Sequence, residues 1–225
     1  MPTRADRHMR AVKLAKDCAA LGARVRTIHC VTGLPPREIQ RLFFANPQAI
    51  PRGRPPASQD WYHSANLLFR ADSSIFVATY RRLRITGFSA GDALVGAYRH
   101  YQTVCQTPHR ISFDRAFDLA SHMDGIWIAT SSSFSILTCP TCNSEFLAAI
   151  GTVPASNVCP FCKLVQRYGT DPRVQSSFPT RPLLDLSGFQ QHMVTLHNTN
   201  AGDADSRVHS TALPGDKEDP QAKND

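Results

Sequence analysis

A chain of 225 residues with 25 Lys or Arg against 18 Asp or Glu, and 42% apolar side chains, is long enough to bury one sizeable core and carry a smaller appendage. Its longest uncharged run, 125–144, holds eight Ser or Thr among twenty residues, which excludes a membrane span there, and its charged N-terminus has no secretory pattern. The formal charge of +7 understates the basic character, because the last 25 residues hold six acids and three bases while residues 1–54 hold eleven Arg or Lys against three acids.

Such an N-terminal concentration is the electrostatic footprint of a polyanion-binding protein. Arg outnumbers Lys 20 to 5, and Arg suits bidentate phosphate and guanine contacts. A GC-rich coding sequence also enriches Arg, so the clustering carries the information and the abundance does not. Seven cysteines without an export signal predict a reducing, cytoplasmic setting, where thiols serve as metal ligands or packed core groups. Cys18, Cys30 and Cys105 stand alone and are expected to be small apolar core residues.

Four regions are expected: a basic helical segment over 1–57, a helical core and partner interface over 58–125, a four-cysteine region over 126–168, and a disordered tail over 169–225. From Arg4 to Cys30 the period is helical, with Met9, Val12, Ala15, Ala19 and Leu21 near one face and Gly22 as a possible break. Val25 to Phe44 has the features of a helix-turn-helix. Gly33 makes the turn, Ile28, Leu34, Ile39 and Leu42 hold the helices together, and Pro35-Pro36 can open the second helix. His29 occupies a position where a small residue is usual. On this reading Arg37, Gln40 and Arg41 face a major groove, with Arg24 and Arg26 near phosphates. The alternative is an ordinary helical hairpin with solvated arginines.

A Pro-rich loop over 46–58 breaks the period. Helices are then expected from Asp60 to Phe69, from a Ser73 cap to Ile85 with Gly87 closing it, from a Ser89/Asp92 capping box to Cys105, and from a Ser112 cap onward. Phe76, Tyr80, Leu83, Leu94, Ala97, Tyr98, Tyr101, Phe113, Ala116, Phe117 and Ala120 recur at helical spacing and are assigned to the core. Tyr62, Arg81, Arg82 and Arg84 are left as an exposed second contact surface. Short strands are expected at 126–129, 134–137 and 145–150. Past Gly169 periodicity is lost and disorder is expected, with at most one short helix over 183–194.

Cys139-Pro140-Thr141-Cys142 and Cys159-Pro160-Phe161-Cys162 are two C-P-x-C turns sixteen residues apart. Each can aim two sulfurs at one point, so Cys139, Cys142, Cys159 and Cys162 are expected to bind one zinc ion per chain. Two disulfides, or a redox or iron site, are the alternatives. Four protein ligands leave no open position for catalysis, and no His is followed two residues later by Glu as a zinc deaminase requires. With no nucleophile beside a base and no phosphate-binding glycine loop, no enzyme is expected. The predicted fold is mainly α, a helical N-terminal domain with a helix-turn-helix followed by a small zinc-ribbon-like β region.

Leu21-Gly22-Ala23-Arg24, Thr32-Gly33-Leu34, Asp60-Trp61, Ala97-Tyr98-Arg99-x-Tyr101 and the four knuckle cysteines occur in the order that resembles the flagellar transcriptional activator subunit FlhC, over about residues 10–168. The resemblance implies a DNA-binding subunit that works with FlhD, as a heterohexamer of four FlhD and two FlhC, at promoters of flagellar operons. There it recruits RNA polymerase carrying the housekeeping sigma factor. It also implies zinc at the four cysteines. The chain departs from the family in its long acidic tail and in Pro35-Pro36. Two readings stay open beside the activator: a zinc-stabilised protein-protein adaptor, and a repurposed regulator without flagellar targets.

Overall fold

The computed structural model describes residues 3–44, 46, 60–105, 107–150 and 158–178. Among these residues the chain is mainly helical, with nine helices and one two-stranded sheet, and one compact unit ends at Phe178. The segment 183–194 and the rest of the expected tail beyond 178 lie outside the described residues, as does most of the Pro-rich loop.

Helix α1 (Arg4–Ala20) starts on a capping box: the Asp6 amide donates to Thr3 Oγ1 at 3.1 Å while the Thr3 amide donates to Asp6 Oδ2 at 2.9 Å. Its inward residues are Ala15 and Cys18, whereas Met9, expected on that face, is 65% exposed. Gly22, at φ 81°, ends the helical run, so what reads as one segment to Cys30 is two. Helix α2 (Val25–Thr32) is closed by Gly33 in the left-handed region at φ 73°, and α3 (Pro36–Phe43) follows with Pro36 as its first residue. Ile28, Leu34 and Ile39 are buried between the elements, but Leu42 is 44% exposed and does not hold them together.

Helix α4 (Asp60–His63) is a single turn. The next helix begins earlier than a Ser73 cap requires: α5 (Leu67–Ile85) is capped by Asn66, whose side chain accepts the Phe69 amide at 3.0 Å. Ser73 lies buried inside it, and the neighbouring Ser74 hydroxyl donates to the Arg70 carbonyl at 2.7 Å and accepts the Leu147 amide at 3.1 Å. Helices α6 (Ala90–Val104) and α7 (Phe113–Asp124) start at Ser89 and Ser112, each of whose hydroxyls accepts an amide three residues on.

The A-Y-R-x-Y run of α6 is a set of structural anchors. The Tyr98 hydroxyl donates to the Ile111 carbonyl at 2.9 Å, the Tyr101 hydroxyl donates to Asp72 Oδ2 at 3.0 Å and accepts the Ile111 amide, and Arg99 pairs with Asp17 of α1 at 2.6 Å. Gly91 sits where α6 meets α1 and α2: an added Cβ would lie 2.6 Å from the Leu14 side chain.

One hydrophobic cluster runs from Ala15 of α1 to Ala149, so α1–α3 share a core with α5–α7 and the sheet. The expected strand at 126–129 does not form. Trp127 takes φ 58° and packs its ring 5.2 Å from that of Phe117, which turns the chain there. Strands β1 (Phe134–Thr138) and β2 (Glu145–Ala149) form an antiparallel hairpin with Phe134 opposite Ala149 and Thr138 opposite Glu145. Helix α8 (Pro160–Tyr168) and helix α9 (Pro172–Ser177) follow, the latter within the stretch expected to be disordered.

Burial governs one pH effect. Trp61 Nε1 donates to Asp118 Oδ2 at 2.7 Å, while Asp118 Oδ1 is buried without a hydrogen bond, 3.8 Å from His122 Nε2. Burial raises the Asp118 carboxyl above its ordinary 3.8, so the folded state holds this proton more tightly than the unfolded chain. The stability this gives is complete below the unfolded value and is lost as pH rises through the raised folded one. Asp118→Asn keeps the acceptor for Trp61 and is expected to remove the loss. Its urea midpoint therefore rises relative to the native chain between pH 4 and pH 7; parallel curves would count against the assignment.

Candidate metal centre and basic helical face

The β1–β2 turn is built to converge on Cys139 and Cys142. The Cys139 amide donates to the Ser144 carbonyl at 3.0 Å, the Asn143 amide donates to the Cys139 carbonyl at 2.9 Å, and Asn143 takes φ 56° to close the loop. The second knuckle sits at the start of a helix. Cys159 is the N-cap of α8, Pro160 its first residue, and Cys162 lies in its first turn. Proline is tolerated there because the first amides of a helix lack internal partners, and the same orphan amides favour thiolates.

The four sulfurs lie within 4.8 Å of one another, with Cys139 Sγ 3.7 Å from Cys162 Sγ and Cys142 Sγ 3.7 Å from Cys159 Sγ. Metal–sulfur bonds of about 2.3 Å in a tetrahedron put sulfurs about 3.8 Å apart, so the cluster fits one tetrahedral ion. Disulfide sulfurs would stand about 2.05 Å apart, and all four cysteines are free thiols. Hydrogen bonds from the Ser144 hydroxyl and amide hold the Cys142 thiol down to about 6. The amides of Cys142 and Thr141 lower Cys139, burial raises Cys159, and the sulfurs of Cys142 and Cys139 push Cys162 up to about 12. A metal ion displaces the remaining protons, so its binding is linked to pH.

The centre ties the hairpin to α8, and both rest on α5. Cys139 and Cys159 pack with Phe146 and Ala148, and Leu164 of α8 is buried with Ala71 of α5 and Val174 of α9. Independently of the cysteines, the Tyr62 hydroxyl donates to the Leu147 carbonyl at 2.8 Å. Tyr62 is therefore buried and not part of an exposed surface. Nor are its expected companions free: Arg82 pairs with Glu145 at 2.9 Å, Arg81 lies 3.9 Å from the same carboxylate, and Arg84 pairs with Asp124 at 2.8 Å. These arginines fasten α5 to β2 and α7.

Of the five residues expected to meet DNA, Arg26 on α2 and Arg37, Gln40 and Arg41 on α3 are exposed. Arg24 is occupied. It is the N-cap of α2, its guanidinium lies 3.3 Å from Asp114 Oδ2 and its amide donates to Asp114 Oδ1. Thr27 also donates to that carboxylate, at 2.6 Å, so the buried Asp114 of α7 fixes the start of α2. His29 is exposed and hydrogen-bonds the Leu34 carbonyl through Nδ1 at 2.8 Å, which explains how a large residue is accommodated beside the turn. Arg4, Arg7, Arg10, Lys13 and Lys16 of α1 were not singled out individually in the sequence. All five are exposed, and their spacing of three was the available signal.

Among the described residues no helix is long and apolar enough to cross a membrane. Residues 5–175 match the family described as flagellar transcriptional activator (FlhC). The flagellar transcriptional regulator FlhC of Proteus mirabilis is 30% identical over 193 residues, 82% of this chain and 95% of that protein. That of Variovorax paradoxus (strain S110) is 28% identical over 166 residues, 72% and 78% of the two chains. That of Sodalis glossinidius (strain morsitans) is 29% identical over 161 residues, 68% and 77%. With a match spanning three quarters of its length and the four-cysteine centre within it, the chain belongs to the family of flagellar transcriptional activators, FlhC.

Proposed function

We propose that the chain is the DNA-binding subunit of a transcriptional activator complex, in which α2 and α3 act as a helix-turn-helix on promoters of flagellar operons. The observation that carries this reading is the exposed Arg37, Gln40 and Arg41 on a helix anchored by buried Ile39, in a chain whose relatives are named flagellar transcriptional regulators. Arg and Gln on the exposed face of a second helix are the side chains that reach guanine and adenine edges. Arg26 serves the phosphates. Arg24, spent on Asp114, takes a positioning role in place of a phosphate contact.

The complex works with FlhD, as four FlhD and two copies of this chain, and recruits RNA polymerase in the cytoplasm. Residues 1–57 supply the DNA-reading part, 58–125 the core and partner interface, and 126–168 a zinc-binding part with a structural ion. A closed tetrahedral four-thiolate set suits zinc and leaves no open position for catalysis.

Arg37→Ala with Arg41→Ala is expected to cut affinity for a flagellar promoter fragment by about 30-fold or more, since each base contact is worth about 1–3 kcal/mol, and to bring it to the level of scrambled DNA. Arg26→Ala instead weakens both fragments alike and reduces the salt slope by about one. Fluorescence anisotropy with the purified complex separates the two. Undiminished promoter preference in the double variant would remove α3 from the reading.

A further inference from the structure

Helix α1 carries five cations, Arg4, Arg7, Arg10, Lys13 and Lys16, against two acids. Both acids have partners inside the protein: Asp6 accepts the Thr3 amide in the capping box, and Asp17 pairs with Arg99 of α6 at 2.6 Å. All five cations are exposed, and none takes part in an ion pair among the described residues. Arg10 feels Asp6 only at longer range.

The helix is held on two flanks. His8 Nε2 stands 3.4 Å from Oε1 of Glu38, in the first turn of α3, and Leu14 packs so closely where α6 passes that a Cβ on Gly91 would lie 2.6 Å from it. At about 100° per residue these two side chains are about 120° apart around the helix, with the buried Ala15 and Cys18 between them. The remaining arc faces away from the core. Arg10, Lys13 and Lys16 stand on it in steps of about 60°, over about 9 Å of helix. Arg4 and Arg7 belong to the other side of the first turn and are not part of this row.

The contact between His8 and Glu38 sets α1 beside the base-reading helix. Packed helices stand about 8–10 Å apart and the major groove is about 12 Å wide, so the neighbour of a helix centred in that groove comes over a bordering phosphate strand. We propose that α1 is a second DNA-contacting element, in which Arg10, Lys13 and Lys16 bind backbone phosphates beside the site that α3 reads. The proposal rests on the helix-turn-helix reading of α2 and α3 and adds a contact of different character. Cations without a carboxylate at ion-pair distance attract phosphate whatever the sequence, so they raise affinity and leave base preference to Arg37, Gln40 and Arg41.

The test is anisotropy of the complex co-purified with FlhD, on a flagellar promoter fragment and a scrambled one, between about 50 and 200 mM salt. Arg10→Ala with Lys13→Ala and Lys16→Ala is expected to weaken both fragments about tenfold or more at the lower salt and to leave their ratio unchanged. The slope of log affinity against log salt should fall by about 2–3 for each copy of the chain on the DNA. Alanine is the strongest helix former and the three positions are exposed, so circular dichroism and the thermal midpoint should match the native complex. Arg167→Ala with Arg173→Ala, which removes exposed charge from α8 and α9, should leave the slope where it was. A triple variant with the native affinity and slope would overturn the proposal. So would a comparable loss in the α8 and α9 variant, which would reduce the effect to net charge. The two readings fail separately: promoter preference of the native complex tests α3, and the salt slope of the triple variant tests α1.

Discussion

Cys139→Ser is expected to abolish stoichiometric metal binding and to detach the hairpin turn from α8. Three thiolates and a hydroxyl no longer form a closed soft-ligand tetrahedron, and Cys139 is also a buried member of the small cluster with Phe146, Ala148 and Cys159. Structural zinc in isolated finger peptides contributes about 10–16 kcal/mol of apparent binding free energy, which is an upper bound here because α8 also packs on α5 through Leu164. A loss of several kcal/mol is expected, about 3 or more, read as a fall in thermal midpoint together with metal content near zero by emission spectroscopy. Most of the helical signal persists, since the core of α1–α7 and the Tyr62–Leu147 link do not use the ion. A Cys139→Ser chain that keeps one ion and its thermal midpoint would contradict the structural role.

The second large effect is expected at Asp114 of α7. Its carboxylate is buried and accepts from Thr27, from the Arg24 amide and from the Arg24 guanidinium. Removing one partner of such a set leaves donors unsatisfied, and Asp114→Ala is expected to cost about 3 kcal/mol in urea unfolding. Asp114→Asn keeps an oxygen for Thr27 and the amide but loses the charge opposite Arg24, so it falls between the two. Equal losses in both variants would mean that the ion pair carries the whole effect; no loss in either would remove Asp114 as the anchor of α2.

Much of the local structure was legible. Ser89 and Ser112 cap helices because each side-chain oxygen answers an amide three residues on, and Gly33 closes α2 because few other residues accept a positive φ. The paired C-P-x-C turns announced the four-cysteine cluster for the same reason: the information is local. Long-range partners were not legible. Ser73 reads as a cap, yet it sits inside a helix whose neighbouring Ser74 reaches Leu147, 73 residues away. Arg24, Arg82 and Arg84 read as free cations until Asp114, Glu145 and Asp124 are brought to them by the packing of α7 and β2. Trp127 abandons an expected strand for the ring of Phe117. Helix α8 was hidden because a C-P-x-C turn looks the same at the end of a strand and at the start of a helix.

The most direct test of the account is binding of the chain, co-purified with FlhD from the same genome, to a flagellar promoter fragment and to a scrambled fragment at two salt concentrations. A promoter preference that survives the higher salt, on affinities that fall steeply for both fragments, is the expected result. Equal, salt-labile binding to both fragments would contradict sequence reading by α3, and failure to co-purify would contradict the partnership.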